Sequence, residues 1–161
     1  MAIEFDIKMA RPISSGALLA RVALLLGEFG VGDSPEGDKP ADTRWGDAEM
    51  DATVRLNETI ASILAHKAGE EVDLGEEGGF WVTVSAARSR TGAGVFLAAV
   101  VAIAVGQETG SSVTDEAGLL RLGRAVSPAD ALAQLQRLAG RGALQEIGGR
   151  LADSLGLSLP A

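Results

Sequence analysis

Thirteen consecutive residues without a charge, Ala93 to Val105, constrain this chain more than any other feature. A stretch that apolar has to be surrounded, because leaving it in water is unfavourable on every side. It is shorter than the about 18 residues that read as a membrane span. It therefore predicts an element at the centre of a protein core, bounded by Gly92 and Gly106. Its β-branched residues Val95, Val100, Val101, Ile103 and Val105 suit a strand. Its length and the set Phe96, Leu97, Val100, Val101, Ala104 and Val105 favour a helix, and a helix is the expectation. Such a core element needs a sizeable domain around it, and 161 residues supply one.

The flanking patterns say what surrounds it. Ile3, Phe5, Ile7 and Met9 alternate with Glu4, Asp6 and Lys8, the period-two signature of a strand with one buried face. Pro12 ends that strand. Ser14 or Ser15 can then cap a helix whose stripe is Leu18, Leu19, Val22, Leu25, Leu26 and Phe29, closed by Gly30. Residues 52–56 form a short strand through Val54 and Leu56. Asn57 or Thr59 is expected to cap a helix carrying Ile60, Ile63, Leu64 and Lys67, stopped by Gly69. Glu70 to Leu74 reads as a strand and 75–79 as a turn. Phe80 to Ala87 reads as the central strand, with Phe80, Val82 and Val84 inward and Trp81, Thr83 and Ser85 on the other side. A short strand at 111–114 and a turn at Asp115, Glu116 and Gly118 follow. Ser127-Pro128 is a strong helix start, and Leu132, Leu135 and Leu138 line that helix up to Gly140. Ala143 to Leu155 is a weaker last helix. Gly148 and Gly149 lie inside it, each costing about 1 kcal/mol relative to Ala, so the tail is expected to dock loosely. The expected fold is a single α+β domain over 1–161: two layers, a mostly antiparallel sheet packed against helices, with a helical C-terminus.

Composition narrows function by exclusion. No cysteine means no disulfide scaffold, thiol catalysis or thiolate zinc site, and a single histidine rules out a two-histidine metal site. The 22 acids outnumber 14 bases for a net charge of −8, which disfavours nucleic acid and anionic membranes as partners. The absence of tyrosine also leaves base-stacking platforms poorly supplied. The first six residues carry two acids and no base, unlike a secretory leader, so cytoplasmic residence is the default expectation. No cofactor is implied.

The acidity is concentrated. Residues 1–80 hold 16 acids against 7 bases, whereas residues 81–161 hold 6 against 7. Two stretches carry most of it. The first, 31–51, is broken by Pro35, Gly37, Pro40 and Gly46 and reads as an exposed loop of about 20 residues, a length that is usually functional or disordered. It holds Asp33, Glu36, Asp38, Asp42 and Asp47, with Trp45 among them. The second is Glu70, Glu71, Asp73, Glu76 and Glu77. Both are candidate surfaces for a basic protein, since complementary fields raise association rates. An exposed Trp45 within a charged rim would serve as an anchor, or it would tuck back onto the domain. Asp33, Glu36 and Asp38 lack the twelve-residue calcium-loop pattern, so no metal site is expected. The alternative small-ligand feature is the helix start Thr91-Gly92-Ala93-Gly94. Its amides, with Arg88 and Arg90 beside them, could hold an anion, although the lysine of a phosphate-binding loop is missing.

The succession Phe80-Trp81-Val82-Thr83-Val84, the Ala-rich Val95 to Val105, Ser112-Val113-Thr114-Asp115-Glu116-Ala117-Gly118 and Ser127-Pro128-Ala129-Asp130 resembles small cytoplasmic immunity proteins of bacterial polymorphic toxin systems. The resemblance spans about residues 52 to 139. It implies a non-catalytic protein that binds and blocks a cognate toxin domain, in families that set acidic surfaces against basic nuclease-type sites. No binding residue transfers position by position, and the 31–51 segment has no counterpart in the pattern. Two expectations follow: a non-catalytic protein-binding module acting through its acidic surface, or a small anionic-ligand-binding protein or enzyme using the Arg88/Arg90 and Gly92–Gly94 helix start.

Overall fold

The computed structural model describes residues 3–46, 48–67, 80–115, 118 and 125–161. Eight strands and four helices are present among them, in the order β1 (Glu4–Met9), β2 (Ile13–Ser14), α1 (Ser15–Glu28), β3 (Glu36–Gly37), β4 (Arg44–Trp45), β5 (Met50–Leu56), β6 (Thr59–Lys67), β7 (Phe80–Ser85), α2 (Gly92–Thr109), β8 (Val113–Thr114), α3 (Pro128–Ala139) and α4 (Leu144–Leu155). Six strands form one antiparallel sheet in the order β3-β5-β6-β7-β1-β8, and β2 pairs with β4 in a separate two-stranded ribbon. The expected α+β class holds. So does the central place of β7, which lies between β6 and β1.

Alternation assigns the two faces of the sheet. Phe5, Ile7, Val54, Ala61, Ile63, Ala65, Val82 and Val84 are buried on one face, where they meet the helices. α2 lies across β1, β6 and β7, and α1, α3 and α4 enclose its remaining sides. This is why sixteen of its eighteen residues are buried. The uncharged run is therefore a helix at the core of the domain, and 89% of its most apolar window is covered by protein. Phe29, at the end of α1, packs edge-on against Phe96 of α2 with ring centroids 4.9 Å apart. At the other end of α2, Arg11 donates to the Glu108 carbonyl at 2.9 and 2.6 Å, and Arg21 pairs with the Glu108 carboxylate at 3.0 Å. Cations there satisfy carbonyls that a helix C-terminus leaves open.

The expected caps are present. Ser14 accepts from the Ala17 amide at 3.1 Å and Ser127 from the Asp130 amide at 3.1 Å, with Pro128 at the first helical position. The Gly118 amide donates to the Asp115 carbonyl at 2.9 Å, and the two residues between them lie outside the described ones.

Three expectations are corrected. Residues 59–67 are not a helix but β6, joined to β5 through the two-residue turn Asn57-Glu58, with Asn57 at φ 56°. A positive φ at the first central residue is what a tight hairpin demands, and Asn tolerates it. The 31–51 segment is not a bare loop, since it contributes β3, β4 and the start of β5. The last helix does not dock loosely. Gly148 of α4 meets the start of α2 so closely that a Cβ on it would lie 2.6 Å from the Ala93 nitrogen. The missing side chains that weaken α4 in isolation are what let the two backbones touch. The strand expected at Glu70–Leu74 and the turn at 75–79 lie outside the described residues.

Candidate functional site

Trp45 decides how the acidic segment is held. It is 2% exposed, and its indole Nε1 donates to the Ser15 hydroxyl at 2.8 Å. Its place as an exposed partner anchor is therefore corrected: the ring belongs to the core, because a full indole buries too much apolar area to be left on a rim when a pocket and a buried hydroxyl are at hand. Around it the Ser15 amide donates to Thr43 O and the Gly16 amide to Ala41 O, both at 2.9 Å. Further along, the Thr53 amide donates to Asp38 Oδ1 at 2.9 Å. Asp33, Glu36, Asp38 and Asp42 are all exposed on this riveted segment, at the β3–β5 edge of the sheet and the turn beside it. Asp47, Glu70, Glu71, Asp73, Glu76 and Glu77 lie outside the described residues.

The sheet face turned away from the helices is the second candidate surface. Register aligns its side chains in rows across β5, β6, β7 and β1. One row is Thr53, Ser62, Ser85 and Glu4. The next is Asp51, Leu64, Thr83 and Asp6, and beyond it lie His66, Trp81 and Lys8. The first row and Asp51, Leu64 and Thr83 of the second, with Asp38 and Arg88, line an open groove of about 370 Å³, and Asp6 stands just outside it. Thr83 donates its hydroxyl proton to Asp6 Oδ1 at 2.6 Å, and His66 Nε2 lies 3.1 Å from the Thr83 hydroxyl oxygen. The Thr83 hydroxyl stands between the Asp6 carboxylate and the His66 ring, whose Nδ1 lies 3.3 Å from the Lys67 carbonyl. The chain carboxylate–hydroxyl–imidazole thus locks three side chains of the face in place. Sequence reasoning missed this face because Leu64 and His66 were assigned to a helix. The signal that could have shown it is the inward alternation Thr59, Ala61, Ile63, Ala65, muted by two small alanines.

The Arg88–Gly94 site is already filled by the chain itself. Thr91 caps α2 and accepts from the Gly94 amide at 2.9 Å, and the Val95 amide reaches Thr91 O at 3.0 Å. The Gly92 and Ala93 amides donate to Pro160 O and Ala161 O, both at 2.8 Å. The Gly92, Ala93 and Gly94 amides that this helix start would offer an anion are all occupied. Gly92 and Gly94 serve close packing: a Cβ on Gly92 would collide with the Gly148 carbonyl, and one on Gly94 with the Ser89 carbonyl. Arg88 and Arg90 are exposed, outside this packed junction. Among the described residues no three histidine, aspartate or glutamate side chains converge as metal ligands.

No family model matches the chain, and no curated protein or solved structure is significantly similar to it.

Proposed function

We propose that this protein is a non-catalytic binding module that captures a basic protein partner through the acidic edge of its sheet. The observation that carries the reading is the Trp45–Ser15 rivet within the segment that carries four exposed carboxylates, Asp33, Glu36, Asp38 and Asp42. Exposed acids on a floppy loop would lose ordering entropy on binding, whereas a segment tied down by an indole, two backbone bonds and the Asp38 carboxylate presents its charge pre-arranged. The immunity-protein resemblance makes a basic toxin domain the first partner class to test, with cytoplasmic residence as the setting. The second reading, an anionic ligand at Arg88–Gly94, needs the 160–161 carbonyls to leave the Gly92 and Ala93 amides.

The test is affinity capture from native lysate with the wild type and with a variant reversing Asp33, Glu36 and Asp42 to lysine. A single basic protein, retained by the wild type, weakened by salt and lost by the variant, is the expected result. Equal capture by both proteins defeats the acidic-edge reading. Stabilisation of the wild type by inorganic phosphate, lost in Arg88→Ala, moves the weight to the second reading.

A further inference from the structure

We infer that the sheet face beside the acidic edge seats an extended segment of the partner that crosses the strands and carries arginine or lysine at both ends of a five-residue stretch. The inference rests on the partner reading above and adds a surface, a conformation and a spacing to it.

The register supplies the geometry. The row Thr53–Ser62–Ser85–Glu4 ends in a carboxylate on each side, because Asp38 is hydrogen-bonded to Thr53 at the β5 end. The row Asp51–Leu64–Thr83–Asp6 carries one carboxylate on β5 and one on β1, where Asp6 is followed by Thr114 of β8. From Asp51 to Asp6 the second row spans three inter-strand gaps, about 14 Å at the usual strand spacing, whereas Asp38 stands on the β3 side of β5 and sets the first row's carboxylates further apart. An extended chain advances about 3.4 Å per residue, so residues i and i+4 lie about 14 Å apart and point to the same side. Cationic side chains at i and i+4 would thus meet Asp51 on β5 and Asp6 on β1.

The middle fits the middle of such a segment. Leu64 is 42% exposed and offers apolar surface. Ser62 lines the groove, and its hydroxyl has no hydrogen-bond partner among the described residues. Charge fixes the sign: Glu4, Asp38 and Asp51 line the groove against Arg88 as its one base among the described residues. The neighbouring row, with His66 and Lys8, sets a limit to the acidic band on that side. Asp38 belongs both to the groove and to the exposed edge, so the two surfaces are continuous.

The experiment is an amide NMR titration of the full chain with the capped peptide Arg-Thr-Val-Thr-Arg. Two controls are used, one with the arginines two residues apart and one with glutamate in place of arginine. The expected result is saturable shifts at Thr53, Ser62, Leu64, Thr83 and Ser85, several-fold weaker binding of the closely spaced control and none of the acidic one. Asp51→Lys should weaken binding several-fold, and Arg88→Glu should strengthen it several-fold, a gain that misfolding cannot mimic. Equal binding of both spacings, or indifference to Arg88→Glu, overturns the inference. Shifts confined to residues 33–42 overturn the face while leaving the acidic edge standing. Absence of shifts in either region counts against both.

Discussion

Trp45 shows how a single side chain changes the meaning of its neighbours. In the sequence it stands among charges, and only Ser15, thirty positions earlier, explains where it goes. The indole has one donor, and Ser15 is itself 4% exposed, so each group would be costly to leave without the other. Replacing Trp45 by Phe removes the donor and leaves a buried hydroxyl unsatisfied. The expected loss is about 1–3 kcal/mol in urea unfolding. Ser15→Ala strands the indole N–H instead and should cost a similar amount. The two losses should not add in the double variant, because they report one bond. Full additivity would mean that the ring is held by packing alone. Sequence could place an acidic segment at 31–51 but not fasten it, since the fastening is a contact between distant residues.

At the scale of elements, legibility followed the size of the side chains on the buried face. β1 and β7 were plain because Phe5, Ile7, Val82 and Val84 are large and their partners on the other face are mostly polar. β6 was misread because its inward set includes Ala61 and Ala65, while Ile60 and Leu64 on the other face make a false helical spacing with Ile63. The glycines of α4 were misread for a related reason: a helix-breaking residue and a close-packing residue look alike until the opposing backbone is known. The two neighbours should therefore respond oppositely to alanine. Gly148→Ala forces a methyl into the α2 backbone and the Ala161 carbonyl, and it should lower stability by about 1–3 kcal/mol or more through overpacking. Gly149→Ala meets only the Ala161 Cβ at 3.8 Å, so it should raise stability by about 0.5–1 kcal/mol through helix propensity. Thermal unfolding of the pair checks this, and a tolerated Gly148→Ala would show that α2 and α4 do not touch as described.

For the whole molecule, the uneven charge has two consequences of opposite sign. Like charges crowded onto a folded domain repel one another, and unfolding relieves the repulsion. With 16 acids against 7 bases in residues 1–80, the folded state carries that strain mainly in its first half. Raising ionic strength from about 0.01 M to about 0.15 M shortens the screening length from about 30 Å to about 8 Å. The melting temperature should therefore rise with added sodium chloride over this range. The same screening weakens attraction to a basic partner, slowing association most. Stability and affinity should thus move in opposite directions over one salt series, read by calorimetry on the free protein and by association kinetics on the complex. The triple reversal at Asp33, Glu36 and Asp42 should flatten both trends together, because the same carboxylates generate both. If it flattens the affinity trend alone, the repulsion resides elsewhere in the first half. If it flattens the stability trend alone, the exposed edge is only a solvated surface and the partner is held by other residues.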